Sequence, residues 1–162
     1  MIKKFLIASF LIIIFSISSH AAGTDGGSTK VKSEYDQAVS LIKRAKKLEK
    51  KGKTEKANKR YEKAQKLLLV SNKKKPLQAN TLNYLGFTTR KLGDYENGEK
   101  YYLLGLEVDP NHVGINEYLG ELYVVTNRID LAKERLNVLE SCNCEEYDEL
   151  KEIIAGTKKS KY

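Results

Sequence analysis

The sequence predicts an all-α fold, a solenoid of about three helix–turn–helix repeats with one more helix capping its C-terminal end. The main observation is a self-similarity at a shift of 34 residues, a period typical of paired helices. One copy contains Leu82-Asn83-Tyr84-Leu85-Gly86, Leu92-Gly93-Asp94-Tyr95 and Tyr101-Tyr102-Leu103-Leu104-Gly105, and the next contains Glu117-Tyr118-Leu119-Gly120-Glu121-Leu122-Tyr123 and Asn127-Arg128-Ile129-Asp130. The two prolines, Pro76 and Pro110, fall at predicted repeat junctions, as expected where the rest of the domain is helical.

These motifs resemble the tetratricopeptide repeat (TPR), which residues 79–112 and 113–146 match at most characteristic positions. A more divergent copy over residues 38–71 keeps the small residues and one aromatic residue of the pattern. Together the three copies cover about two thirds of the chain. The resemblance implies a right-handed α-solenoid in which the first helix of each pair lines a concave groove.

Small residues recur where the paired helices are expected to approach each other closely. Ala45, Gly86 and Gly120 occupy equivalent positions in the three copies. Glycine inside a helix costs up to about 1 kcal/mol relative to alanine, so we expect these glycines to be required for packing. Gly93 and Asn127 are instead expected at turns between helices, where a left-handed backbone is needed.

The first 21 residues (1–21) predict a secretory signal peptide. A positively charged start precedes an apolar run over residues 5–17, and Ser19 and Ala21 fit the small positions before a cleavage site. An uncleaved membrane anchor is the alternative, although the run is shorter than the roughly 20 residues that span a bilayer. No cysteine lies near the cleavage site, so we do not expect a lipoprotein. We expect a periplasmic or secreted protein, with a flexible tether over residues 22–32.

Helical periodicity defines the remaining organisation. The repeat domain over residues 33–156 begins at Ser33, an expected N-cap, and ends with a capping helix over 145–156. A basic tail follows over residues 157–162. Residues 69–75 add about seven residues between the first two repeats, and we expect them to lengthen a helix before looping out.

Charge is distributed unevenly along the chain. The formal net charge is +8, but residues 43–75 hold 15 Lys or Arg against 3 acidic residues, whereas 76–156 hold 7 basic and 15 acidic residues. The basic segment, Lys43 to Lys75, suits an anionic envelope surface, or the acidic half of another copy in a salt-sensitive self-association. We do not expect nucleic-acid binding, because interleaved aromatic residues are missing and the chain is predicted to be secreted.

The sequence carries no pattern typical of a catalytic site. Beyond the predicted signal peptide the one histidine is His112, at a repeat junction, where a helix cap or a surface residue is the more common role. Ser40 and Lys43 match a Ser-x-x-Lys pattern, but the partner motifs of that chemistry are absent. Phosphate-binding loops and dinucleotide fingerprints are absent as well. We predict a protein that is not an enzyme and needs no cofactor or metal.

Cys142 and Cys144 admit three interpretations in an oxidising compartment. They fix the turn before the capping helix, as a local disulfide or as a pair of thiols, or they form a strained bridge with a redox role, or a thiolate pair for Cu(I). The local bridge is favoured, because further soft ligands for a metal are missing. The alternative function is a periplasmic redox or metal-handling accessory protein.

The resemblance assigns specific residues to the concave groove. They are Asn80, Asn83, Phe87, Arg90 and Lys91 in the second copy and Glu117, Glu121 and Val124 in the third. Phe87 stands where relatives that hold a C-terminal carboxylate use asparagine, so carboxylate capture is not expected. Amides, an aromatic ring and both signs of charge suit an extended peptide or a partner helix. We expect a non-enzymatic scaffold of the bacterial cell envelope that binds a peptide or partner protein in this groove.

Overall fold

The computed structural model describes residues 32–160, and all regular structure within that range is helical. The described helices are α1 (Glu34–Glu49), α2 (Thr54–Lys74), α3 (Ala79–Lys91), α4 (Tyr95–Val108), α5 (Val113–Val125), α6 (Ile129–Leu139) and α7 (Glu145–Ile154). The predicted signal peptide, the tether up to residue 31 and the last two residues of the basic tail lie outside the described residues. The all-α prediction is confirmed.

The helices pack as three consecutive pairs: α1 with α2, α3 with α4, and α5 with α6. The remaining helix, α7, packs on both members of the last pair. Leu150 and Ile153 of α7 are buried, and the Leu150 side chain lies against Gly120 of α5. The last pair therefore has its apolar surface covered, as the stacking of such repeats requires. None of the described helices combines the length and apolar character needed to cross a bilayer.

A residue with a left-handed backbone conformation follows the first helix of each pair. Gly52, Gly93 and Asn127 have φ values of 67°, 93° and 58°, a region that glycine and asparagine occupy at low cost. The predictions for Gly93 and Asn127 are confirmed. At the start of the domain, Ser33 Oγ accepts a hydrogen bond from the Asp36 amide at 3.1 Å, so Ser33 is the expected N-cap.

Gly86 and Gly120 both lie at close approaches between helices. The approach at Gly86 is to the paired helix α4, as predicted, whereas the approach at Gly120 is to the capping helix α7 and not to its paired helix α6. A Cβ atom added to Gly86 would lie 2.5 Å from Tyr102 Cε1, and one added to Gly120 would lie 2.5 Å from Leu150 Cδ2. Both distances are shorter than any ordinary carbon contact, so a side chain at either position would displace its neighbour. The free-energy cost of placing glycine inside a helix is therefore offset by the close packing of the helices. Residues 69–74, in the insertion between the first two repeats, prolong α2 to Lys74.

Candidate functional site

The first helix of each pair and α7 line one face of the solenoid. Lys46 Nζ of α1 donates a hydrogen bond to Tyr118 Oη of α5 at 3.1 Å, although α3 lies between these helices in the order of the repeats. Side chains can meet past an intervening helix on the inner side of a curved stack, so this contact marks the inner side. We call the surface formed by α1, α3, α5 and α7 the concave face.

Aromatic rings form a row across the concave face. Tyr35 of α1 and Tyr84 of α3 have ring centroids 6.0 Å apart, and Phe87 and Tyr118 have centroids 5.2 Å apart. Lys46 Nζ lies 4.5 Å from the Phe87 centroid and 5.3 Å from the Tyr118 centroid, within cation–π range. We call these five residues the aromatic row.

The tyrosines of the aromatic row are neutral at physiological pH. Burial raises the pKa of Tyr35, Tyr84 and Tyr118 above the usual value for a phenol, because the charged form would lose hydration. Half-buried neutral rings offer apolar area together with a hydroxyl that can bond a partner. The row therefore suits contact with another polypeptide.

Charged side chains join neighbouring helices beside the row. Lys91 Nζ lies 2.6 Å from Glu49 Oε1, which connects α3 to α1. Arg90 Nη2 lies 3.3 Å from Glu121 Oε2, and Arg90 Nη1 donates to the Tyr118 carbonyl at 2.7 Å, which connects α3 to α5. Arg90 and Glu121 are 2% and 0% exposed, so this pair is part of the interior.

The concave face is acidic where α5 meets α7. Tyr118 and four glutamates line a cleft of about 150 Å³ there: Glu117, Glu145, Glu146 and Glu149. Glu121 lies one turn further along α5 from Glu117. We call these five glutamates the acidic end. The basic tail begins beside it, and Lys158 Nζ lies 3.0 Å from Glu149 Oε1.

His112 lies at the junction before α5. Its Nδ1 accepts a hydrogen bond from the Ile115 amide at 3.1 Å and so caps α5, and its Nε2 bonds Asn80 Oδ1 at 2.9 Å. Burial lowers the pKa of His112, because the charged imidazolium is less hydrated there. A cap was one of the two roles expected for this histidine. A cavity of about 400 Å³ lies beside it, between the first turns of α1 and α3 and the end of α2.

The predicted groove residues differ widely in exposure. Asn80 is exposed and Lys91 is half-buried, whereas Phe87 is 1% exposed and is packed against the rings of Tyr61 and Tyr118. Val124 is half-buried, and the remaining four, Asn83, Arg90, Glu117 and Glu121, are buried. The assignment of these residues to partner binding stays a prediction.

Several residues of this face were missed by sequence reasoning. Lys46, Tyr84 and Tyr118 are half-buried on the concave face and were not assigned to the groove. A signal was available, since Tyr84 and Tyr118 are 34 residues apart and so occupy equivalent positions in two repeats. Lys46 had no such signal, because its neighbours across the stack depend on tertiary structure.

Cys142 and Cys144 are joined by a disulfide in the turn before α7, with Cα atoms 5.2 Å apart. The bridge immediately precedes the first turn of the capping helix. Within residues 32–160, no group of three or more His, Cys, Asp or Glu side chains is placed to hold a metal ion.

No protein-family model matches the sequence, and no curated protein matches it either. Solved structures with the same architecture do exist. The type III secretion chaperone SycD of Yersinia enterocolitica, in complex with a peptide of the translocator YopD, is 19% identical with a TM-score of 0.52, covering 75% of this chain and 88% of that chain. PcrH, in complex with the chaperone-binding region of PopD, is 18% identical with a TM-score of 0.51, at the same two coverages.

The first TPR domain of human RPAP3 is 20% identical to this chain, with a TM-score of 0.47, covering 78% of this chain and 98% of that chain. The helix order, the paired packing and the likeness to SycD and PcrH define the class of protein: this chain is a TPR-type α-solenoid.

Proposed function

We propose that this chain is a non-enzymatic scaffold that binds an extended peptide or a partner helix on its concave face. The observation that carries the proposal is the aromatic row, which holds three half-buried tyrosines and in which the Lys46 ammonium group lies beside the rings of Phe87 and Tyr118. Tyrosine is enriched among the residues that dominate binding energy at protein interfaces, because it combines apolar area with a polar tip. Lys46 adds a positive charge for a carboxylate or carbonyl of the partner.

Two of the solved structures support this proposal, because each contains a bound segment of another protein. SycD is in complex with a peptide of YopD, and PcrH with the chaperone-binding region of PopD. The same arrangement of helix pairs can therefore hold a segment of another protein.

The cell envelope is the proposed location. The predicted signal peptide supports it, and so does the Cys142–Cys144 disulfide, because disulfides persist in oxidising compartments. The basic segment on α1 and α2 would hold the protein to anionic envelope surfaces or to the acidic half of another copy. Both contacts would weaken at high salt, because exposed charges are screened. Cell fractionation, with sedimentation at low and high ionic strength, tests both parts.

The concave face is tested by changing its accessible rings. We expect the Tyr84→Ser/Tyr118→Ser variant to recover at least tenfold less of its partners from envelope extracts, because two interface rings are lost. The matched control is Leu103→Ser, which changes an exposed residue of α4, in the second helix of its pair. Circular dichroism establishes that both variants remain helical. If both variants recover the same proteins as the wild type, the concave face is not the binding surface.

A further inference from the structure

We propose that the start of the basic tail, Thr157–Ser160, is a tethered ligand of the acidic end of the concave face. The tail occupies this part of the surface in the free protein, and a partner must displace it to bind there. The displacement of the tail by a partner rests on the proposed function, since it needs a partner on the concave face. The binding of the tail to the acidic end concerns this chain alone.

The end of α7 directs the tail back onto the protein. Gly156 has a φ of 74°, which turns the chain after the helix. The amides of Thr157 and Lys158 then both donate to the Glu152 carbonyl, at 3.0 and 3.2 Å. Thr157 Oγ1 donates to the same carbonyl at 3.0 Å. Three hydrogen bonds to one carbonyl fix the direction in which the tail leaves α7.

Two side chains of the tail then bond the acidic end and α7. Lys158 Nζ lies 3.0 Å from Glu149 Oε1 and 3.5 Å from Glu152 Oε2. Ser160 Oγ donates to Glu121 Oε2 at 3.0 Å, and this oxygen also faces Arg90. The tail therefore reaches the buried ion pair that joins α3 to α5. Glu121 is 39 residues away from Ser160 in sequence, so this is a tertiary contact.

Exposure differs between neighbouring residues of the tail. Lys158 and Ser160, whose side chains make these contacts, are half-buried, whereas the intervening Lys159 is exposed. The tail therefore contacts the protein through Lys158 and Ser160. The hydrogen bond to Glu149 raises the pKa of Lys158, which keeps its ammonium group charged.

Charge complementarity favours this occupant. Residues 157–162 contain three lysines and no acidic residue, whereas the acidic end contributes five carboxylates, of which Glu121 is already paired with Arg90. A segment linked directly to α7 has a high effective concentration at its own site, of the order of millimolar for a short flexible linker. A partner segment that takes the same place would carry a lysine and, two residues later, a small hydroxyl residue.

The test uses a labelled synthetic peptide with the sequence of residues 156–162 (Gly-Thr-Lys-Lys-Ser-Lys-Tyr) and full-length protein. We expect the peptide to bind the Lys158→Ser/Ser160→Ala variant about tenfold more tightly than the wild type. The reason is that the wild-type tail competes from its tethered position. Fluorescence anisotropy measures both affinities. Equal affinities, or no binding to the variant at millimolar peptide, would overturn the proposal.

A second pair of variants locates the peptide. Adding Glu149→Gln/Glu152→Gln to the tail variant should abolish binding of the peptide, because the contacts of Lys158 are removed. Adding Glu107→Gln/Glu134→Gln instead removes the same number of charges from α4 and α6 and should leave the affinity unchanged. Equal effects of the two pairs would mean that only net charge matters, and would overturn the proposal. Failure of this test leaves the partner-recovery experiment with Tyr84 and Tyr118 unaffected, so the two proposals fail separately.

Discussion

The first two repeats each bury a tyrosine ring at an equivalent position, but they differ in the hydrogen bonding of the tyrosine hydroxyl. Tyr61 of α2 and Tyr102 of α4 occupy equivalent positions in the pattern, and both are fully buried. Tyr61 Oη donates to Glu49 Oε2 at 2.7 Å. Tyr102 Oη has no hydrogen-bond partner among the residues that the structure describes. Burial raises the pKa of both tyrosines, so both remain neutral.

The difference arises from the residue at one equivalent position of the first helices. In α1 this residue is Glu49, which accepts from the tyrosine of its own repeat and pairs with Lys91 of the next. In α3 it is Arg90, which pairs with Glu121 and the Tyr118 carbonyl of the following repeat. Residue size at the packing positions is therefore shared between repeats. Whether the buried tyrosine hydroxyl is hydrogen-bonded within its own repeat depends on the polar residue at this position.

The largest expected effect is at Arg90. Replacing it in Arg90→Met should lower the free energy of unfolding by about 3–5 kcal/mol, because the buried Glu121 carboxylate loses its guanidinium partner. Urea denaturation followed by circular dichroism measures the loss. The double variant Arg90→Met/Glu121→Gln should be more stable than the single variant, because no buried charge is left uncompensated. A double variant that is as unstable as the single one would show that the ion pair is not the cause.

The two tyrosines give a matched pair with a smaller effect. Tyr61→Phe should lower the free energy of unfolding by about 1.5–3 kcal/mol, because a hydrogen bond to a charged group is lost. Tyr102→Phe should change it by less than about 0.5 kcal/mol or increase it, because a buried hydroxyl without a described partner is removed. Both are measured by denaturation under the same conditions. Equal losses in the two variants would contradict the comparison.

The smallest effect concerns the junctions that precede α3 and α5. Gln78 makes no side-chain cap at the start of α3, whereas the His112 side chain caps α5. The pKa of His112 is lowered by folding, so its neutral form stabilises the fold above the unfolded pKa of about 6.5. This contribution is lost as the pH falls through the folded-state pKa. Protonation of Nδ1 also removes the cap, which is typically worth about 1 kcal/mol.

The control for His112 is His112→Asn, since asparagine can also cap a helix but does not titrate near neutral pH. Thermal unfolding between pH 7.5 and pH 5 should show a larger loss of stability in the wild type than in this variant. Identical pH profiles would mean that His112 contributes nothing to the pH dependence.

Much of the fold could be predicted from local features of the sequence. The 34-residue period predicted the helix pairs, and Gly93 and Asn127 predicted the turns, because left-handed backbone is a property of the single residue. Gly86 and Gly120 predicted close approaches, because glycine inside a helix is unfavourable without a packing reason.

The candidate site was less predictable. The resemblance to the tetratricopeptide repeat assigned Phe87 and Arg90 to the groove, but it could not tell that both are buried. It also could not connect Ser160 to Glu121 or Lys46 to Tyr118, which are 39 and 72 residues apart. Such contacts depend on how far the stack curves and on how each helix is rotated toward its neighbours.

The sequence by itself determined that this protein is a solenoid of paired helices, because helical periodicity, small residues and turn residues act over one or two helices. Tertiary structure alone decided which side chains form the aromatic row, which charges are buried and where the basic tail lies. The physical reason is that these features arise between repeats, where distances depend on the packing of the whole stack and not on the pattern within one repeat.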